Sequence, residues 1–144
     1  MKRQRKQILE EIRESNGGIL RPQDVVKAAR PKDHPLHSAF EWDNTKAASG
    51  YRIWQARELI RVTVNVVERT QTTHRMYVSL TNDRNPDGGY RALADVVSDV
   101  ELRRQMLEEA LVDLERLELK YSQLEELAHV FEEANKIRKK AKKK

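Results

Sequence analysis

Short apolar clusters at helical spacing mark the beginning of the chain. Ile8, Leu9 and Ile12 recur every three to four residues, which predicts an amphipathic helix over residues 2–14. The glycine pair at 17–18 follows, and glycine accepts the left-handed conformation that closes a helix. We therefore expect the first helix to end just before this pair.

The next segment combines a very short apolar step with a second helical pattern. Ile19 and Leu20 are too few for an independent strand, but they suit one rung of a small sheet. Pro22 occupies a position that the first turn of a helix accepts, and apolar residues continue over 25–29. A second short helix is predicted, ending before Pro31.

A longer helix is predicted after residue 43. The segment 34–43 suits one or two helical turns, and Asp43 or Asn44 is positioned to cap the helix that follows. The spacing predicts an inward face made of Ala47, Ala48, Tyr51, Trp54, Ala56, Leu59 and Ile60. The predicted outward face carries Lys46, Arg52, Arg57 and Arg61. This helix is the best candidate for a recognition helix.

The period changes from helix to strand between residues 62 and 80. Apolar positions alternate over 62–67 and again over 76–80, with a polar turn at 68–73, which predicts a β-hairpin. Helix, short rung, helix, helix and hairpin follow one another in the order of a winged helix. The predicted fold class is α+β, mainly α, with a winged-helix-like module over residues 1–81.

Turn-forming residues fill the segment 82–89, which reads NDRNPDGG. We take 82–98 as a linker with a short helical approach. Ser98 followed by Glu101 matches a capping box that would open a long helix over 99–135. A basic tail, disordered or weakly helical, is expected over 136–144.

The predicted C-terminal helix carries an apolar stripe with coiled-coil spacing. Its main members are Leu107, Leu114, Leu117, Tyr121, Leu124 and Phe131. A single helix over 99–138 would be about 60 Å long. Ser122 with Glu125 would instead cap a second helix and produce a helical hairpin. A head of about 60–80 residues could not cover the whole stripe of the single helix, so these six residues are predicted to mediate homo-oligomerisation, with a dimer favoured.

Charge alternates strongly along the chain, although the formal net charge is only +5. Residues 1–62 sum to +5, 63–98 to 0, 99–135 to −7 and 136–144 to +7. Clustered cations attract polyanions by releasing counterions, which indicates nucleic acid as a partner, with an anionic membrane surface as the competitor. The lysine tail would add nonspecific affinity, dock on the acidic helix of a neighbouring subunit, or serve solubility.

Composition excludes several classes of protein. The chain has no cysteine, so disulfides, thiolate metal sites and a cysteine nucleophile are excluded. It carries no run of about 18 apolar residues, and its first ten residues are charged, unlike a signal peptide. We expect a soluble cytoplasmic protein that does not enter membranes.

DNA contact is assigned to three groups of residues. The third predicted helix contributes Lys46, Arg52, Gln55, Arg57 and Arg61. The hairpin contributes Arg69 and Arg75, and an N-terminal arm contributes Lys2, Arg3 and Arg5, with Lys6 beside them. A helix in the major groove needs cations for phosphates and polar groups for base edges. Ordinary solvated faces are the competing explanation, and Glu58 weakens the positive field.

Candidates for a metal site or a catalytic site are weak. His34, His37, Glu41 and Asp43 are the only cluster that resembles a metal site, and Pro35 between the histidines argues against it. Trp42 and Trp54 are most simply core residues, and the glycine pairs lack the rest of a phosphate-binding loop. We therefore predict no metal, no cofactor and no enzymatic activity.

A resemblance adds an expectation about origin. The segments ILRPQDVVKAARPKDHPLHSAFEWDNTKAASGYRIWQARELIR and GGYRALADVVSDVELRRQMLEEAL resemble a group of short phage and prophage proteins. The resemblance covers most of the chain, and PLHSAFEWD is its most specific part. It implies a viral or mobile-element origin, and the expected location is therefore the cytoplasm of an infected or lysogenic bacterium. It implies no activity.

Three functions follow as hypotheses. The leading one is a phage DNA-binding regulator that acts as a dimer. The second is a small terminase-like subunit for DNA packaging, with a DNA-binding head and a ring-forming helical region. The third is a structural or scaffold protein that binds a phage or host protein through the long helix.

Overall fold

The structure, a computed structural model, describes residues 2–44 and 48–143. The chain divides into two compact units, Met1–Ser98 and Asp99–Lys144. As predicted, it is mainly helical, with small antiparallel sheets and a long helix in its C-terminal part.

The first two helices lie where the apolar spacing predicts them. Helix α1 spans Lys2–Ser15, and α2 spans Pro22–Ala29 with its proline in the first turn. Gly17 and Gly18 have φ of +69° and +86°, a region that L side chains rarely adopt, so the two glycines allow the chain to turn. The predicted rung is also present, because Leu20 forms an isolated antiparallel bridge.

The third long helix differs from its prediction at the N-terminal end. Helix α3 spans Ser49–Val62, and a short 3-10 turn at His37–Ala39 precedes it. The predicted caps Asp43 and Asn44 are wrong, because the N-cap position is Ala48 and no side chain caps the helix there.

The inward face of α3 is also rotated relative to the prediction. Ala56, Leu59 and Ile60 are buried as expected, but the side chains of Tyr51 and Trp54 are 47% and 53% exposed. The three buried residues belong to the core of the first unit, which consists of Leu9, Leu20, Val25, Val26, Ala29, Leu36, Phe40, Ala56, Leu59, Ile60 and Tyr77. Trp54 is therefore not a core residue, contrary to the expectation.

A hairpin follows α3, but the predicted pairing of 62–67 with 76–80 is wrong, because the first strand pairs with residues 72–75, within and just after the predicted turn, and the segment after residue 76 belongs to a second sheet. Strand β1 (Val64–Val67) pairs antiparallel with β2 (Thr72–Arg75), and β3 (Tyr77–Val78) pairs with β4 (Arg91–Ala92). Met76 joins the two sheets, because its N–H donates to the Thr63 carbonyl and its carbonyl accepts from the Leu93 N–H. One bent chain segment thus serves both sheets.

The segment predicted as a linker is built into the first unit. A 3-10 turn at Thr81–Asp83, β4 and helix α4 (Leu93–Ser98) all lie before the division. The buried Asp83 carboxylate pairs with Arg91 at 2.8 Å. A Cβ on Gly88 would lie 1.8 Å from the Asp83 carbonyl oxygen, so only glycine fits there. A turn-rich composition does not by itself indicate a free loop.

The second unit is a helical hairpin, so the alternative of one continuous helix is wrong. Helix α5 spans Val100–Tyr121, a 3-10 turn follows at Glu125–Leu127, and α6 spans Ala128–Lys142. The cap of α5 is Asp99, whose carboxylate accepts from the Leu102 N–H at 2.9 Å, rather than the predicted Ser98 box. The buried residues described in the second unit are Leu111 on α5 and Phe131 and Ala134 on α6.

The basic tail is helical through Lys142, so of the two predicted states, disordered or weakly helical, the structure has the helical one. Lysine, arginine and alanine are good helix formers, and cations are favourable at the C-terminal end of the helix dipole. Arg138 also anchors this segment, because its guanidinium donates to the Leu111 carbonyl at 2.9 Å.

Candidate nucleic-acid interface

The outer face of α3 presents aromatic and basic side chains together. Tyr51, Trp54, Arg57 and Arg61 are all exposed and follow one another at spacings of three and four residues. The rings of Tyr51 and Trp54 are stacked, with centroids 5.6 Å apart and an interplanar angle of 16°. Aromatic rings of this kind offer stacking surface to a base or to a partner protein.

Arg57 is an exposed cation on this face. Within residues 2–44 and 48–143 its guanidinium forms no ion pair. Its side chain lines a cleft of about 570 Å³ in the first unit. The cleft is otherwise bordered mainly by polar side chains, backbone and turn residues, among them Pro22, Gln23, Ser79, Asn85 and Tyr90. An anionic ligand entering this cleft would meet Arg57 directly.

Arg61 is exposed but partly neutralised. Its guanidinium donates to the Glu58 carboxylate, with the shortest N···O distance at 2.5 Å. This hydrogen bond lowers the pKa of Glu58, which keeps the carboxylate charged beside the arginine. We expect Arg61 to contribute less to the attraction of a polyanion than Arg57 does.

Arg52 and Gln55 were assigned to DNA contact, but both side chains are engaged within the protein. Arg52 is 6% exposed, so the expectation that it faces solvent is wrong. Its guanidinium donates to the carbonyls of Glu41 and Trp42 and to the Asn44 side chain, at 3.0, 3.4 and 2.5 Å. The Gln55 side-chain oxygen accepts from the Glu41 N–H at 3.1 Å. Both residues therefore hold the segment before α3.

One hydrogen bond links the hairpin to the N-terminal half of α1. The Lys6 ammonium donates to the Asn65 side chain at 3.1 Å, which joins α1 to β1. Arg69 and Arg75 are exposed on the hairpin, and no carboxylate in the described chain forms an ion pair with either. Arg3 is exposed on α1 and Arg5 is half-buried there. Lys46 and the side chain of Lys2 lie outside the described residues.

The histidine and carboxylate cluster has local structural contacts. The His34 ring accepts from the Leu36 N–H at 3.2 Å, and His37 is stacked on Trp42 with centroids 5.0 Å apart. The Glu41 carboxylate accepts from the Asp43 N–H at 3.0 Å. Among the residues that the structure describes, no three histidine, aspartate or glutamate side chains are grouped to hold a metal ion.

The six predicted oligomerisation residues divide into two sets. Leu107, Leu117 and Leu124 are 45%, 45% and 47% exposed, while Leu114 and Tyr121 are half-buried. Phe131 is only 6% exposed, because α6 returns along α5 and encloses it. Part of the apolar stripe predicted for one long helix is therefore buried between α5 and α6, and the rest stays exposed.

Sequence reasoning missed the exposed aromatic pair and the cleft. The stripe Arg52, Ala56, Leu59 and Ile60 has the spacing of a buried face, and only the charge of Arg52 concealed it. With that stripe turned inward, Tyr51 and Trp54 must turn outward. The cleft has no local signal, since it depends on the packing of the 79–90 segment.

No protein-family model, curated protein or solved structure matches the chain. In the described part of the chain, no helix has the length and apolar character needed to cross a bilayer.

Proposed function

We propose that this chain is a non-enzymatic protein whose first unit binds DNA in the manner of a winged helix. The observation that carries the proposal is the division of charge between the units. Residues 1–98 hold 17 lysines and arginines against 12 aspartates and glutamates, while residues 99–144 hold 11 of each. The whole net charge of +5 thus belongs to the first unit.

The outer face of α3 is the proposed recognition surface. Arg57 would contact a phosphate or a guanine edge, since an arginine fork suits both. Tyr51 and Trp54 would add apolar contact beside it. Because Arg52 and Gln55 are held by residues 41–44, they position the helix instead of contacting DNA.

The hairpin and the start of α1 are proposed to contact the phosphate backbone. The bond from Lys6 to Asn65 makes the two elements neighbours, so Arg3, Arg69 and Arg75 add charge to connected elements. Lysines and arginines without an internal ion pair release counterions from DNA most effectively. They do not have to break a bond to a carboxylate before they bind a phosphate.

Substitution of Arg57 tests this proposal. Arg57→Ala is expected to weaken binding to a short duplex by roughly tenfold, which corresponds to about 1.4 kcal/mol. The matched control is Arg116→Ala, which removes an exposed helical arginine of the second unit that pairs with Asp113. Fluorescence anisotropy at low salt measures both. Equal binding by Arg57→Ala and wild type, or an equal loss in Arg116→Ala, would contradict the proposal.

A protein-binding role for the same helix face is the second candidate. The observation that favours it is the exposed Tyr51 and Trp54 pair, because tyrosine, tryptophan and arginine dominate the energetics of protein interfaces. Tyr51→Ala with Trp54→Ala separates the two functions. Unchanged DNA affinity in this double variant would favour protein docking on the aromatic pair.

A further inference from the structure

The second unit has a net charge of nearly zero, but its charge is strongly separated along the hairpin. We call residues 99–110 and 136–143 the open end, since α6 returns along α5 and Arg138 reaches the Leu111 carbonyl. The open end holds 8 basic against 4 acidic residues, a net +4. The turn end, residues 111–135, holds 2 basic against 7 acidic residues, a net −5.

Several of these charges form no ion pair with another described residue. In the portion that the structure describes, Lys139, Lys142 and Lys143 at the open end form no ion pair. The same holds for Glu125 and Glu126 at the turn end. Each end can therefore attract an opposite end.

One side of the hairpin is also apolar and exposed. Leu117 on α5 and Val130 and Ile137 on α6 are 45%, 50% and 43% exposed. With the buried Leu111 and Phe131 turned toward each other, the step of about 100° per residue puts these three side chains on the same side of the hairpin. They form what we call the apolar face.

We propose that the apolar face binds the apolar face of a second copy of this chain, with the two hairpins antiparallel. A two-fold axis across the hairpins then places each open end against the partner's turn end, so +4 meets −5 twice. A parallel pair would instead bring like charges together at both ends. The product is an antiparallel four-helix bundle.

The two contributions have different roles. Exposed ion pairs are individually weak, so the separated charge selects the orientation of the pair. Burial of the apolar side chains supplies the affinity. This inference does not depend on DNA binding, and all of its tests are made on the full chain without DNA.

Two leucines on opposite sides of α5 test the interface. Leu117→Glu places a charge on the apolar face and is expected to convert the dimer to monomer in sedimentation equilibrium. Leu119 is 82% exposed and lies two residues further, on the other side of the helix. Leu119→Glu adds the same charge and is expected to leave the dimer intact. Wild-type monomer at every concentration, or equal dissociation by both variants, would overturn the proposal.

Cross-linking tests the orientation, because the chain has no cysteine of its own. Gln123→Cys labels the turn end, and Ala141→Cys labels the open end. With a short bismaleimide, the mixture of the two variants is expected to give cross-linked dimer, while either variant alone gives little. If each variant alone forms cross-linked dimer strongly, and mixing the two variants gives no additional cross-linked product, the pair is parallel and the antiparallel arrangement is overturned.

Salt provides a readout that a purely apolar contact would not move. The antiparallel pair is expected to dissociate more readily as salt screens the attraction between opposite ends. Association that strengthens with added salt would contradict it, since that is the response of a pair that brings like charges together.

Discussion

At the residue scale, two arginines five positions apart on α3 have different tasks. Arg52 is buried and donates to two carbonyls and the Asn44 side chain, and its guanidinium lies 5.4 Å from the Trp42 ring centroid. Arg57 is exposed and forms no ion pair within the described residues. The first stabilises the fold, and the second is free to meet a ligand.

Stability measurements should separate these two arginines. Arg52→Ala is expected to lower the free energy of unfolding by about 2–4 kcal/mol, because it removes a buried side chain and leaves two partly buried carbonyls without this donor. Arg57→Ala is the matched control and should change it by less than about 0.5 kcal/mol. Urea unfolding followed by tryptophan fluorescence reports on the first unit alone, since Trp42 and Trp54 both belong to it. Similar losses in the two variants would contradict the assignment.

The orientation of Arg52 could not be predicted from sequence. A cation at a core position is satisfied only by oxygens that the fold brings to it, here from residues 41–44. Local spacing indicated the buried stripe through Ala56, Leu59 and Ile60. That Arg52 also belongs to this stripe becomes clear only from the position of residues 41–44, which supply its hydrogen-bond acceptors.

At the element scale, one hydrogen-bonded group joins α1 to β3. The Tyr77 hydroxyl donates to the Glu10 carboxylate at 2.6 Å, and Arg13 pairs with the same carboxylate at 2.9 Å. Burial acts to raise the pKa of Glu10, but the hydrogen bonds from Arg13 and Tyr77 outweigh it and the pKa falls below its usual value. Burial and the bond to Glu10 raise the pKa of Tyr77.

These shifts predict how the stability of the first unit depends on pH. A lowered pKa for Glu10 gives stability that is present above about pH 4.3 and lost as the pH falls toward the folded-state value. A raised pKa for Tyr77 gives stability that is lost as the pH rises above about 10, where the unfolded chain ionises first.

Tyr77→Phe tests this link between α1 and β3. This variant should no longer lose stability above about pH 10, and it should lose less stability than wild type at acid pH. At neutral pH its free energy of unfolding should be lower by about 1.5–3 kcal/mol, the contribution of a hydrogen bond to a charged group. Tyr51→Phe, which removes an exposed hydroxyl, controls for the loss of a tyrosine. Urea midpoints across pH measure both variants. A Tyr77→Phe profile parallel to that of wild type would rule out the assigned coupling.

Elements whose signals are local were predictable from sequence. The apolar spacing in α1 and α2 and the glycines at 17–18 were sufficient, because each depends on neighbours within a few residues. The pairing of β3 with β4 was not predictable, since it joins segments separated by a loop that resembles a linker. The close approach at Gly89 is also non-local, since a Cβ there would lie 2.6 Å from the Leu20 carbonyl oxygen.

At the scale of the whole molecule, charge and apolar surface are distributed between the two units. The first unit holds the net positive charge, and the second holds opposite charges at its two ends beside an exposed apolar face. The alternation of formal charge can be counted directly from the sequence, because it depends only on residue identity. It left the single helix and the hairpin as alternatives, since the turn at 122–127 reads SQLEEL and contains neither glycine nor proline, so a continuous helix could also carry it.

The most direct test of DNA binding by the first unit is a titration of the full chain with a short duplex across salt concentrations. The proposed interface predicts binding at micromolar protein or below in low salt, with the logarithm of the association constant falling linearly against the logarithm of salt concentration. Replacing Arg57, Arg69 and Arg75 by alanine should flatten that slope. Absence of binding at micromolar protein in low salt, or a slope that these replacements leave unchanged, would contradict the proposed interface.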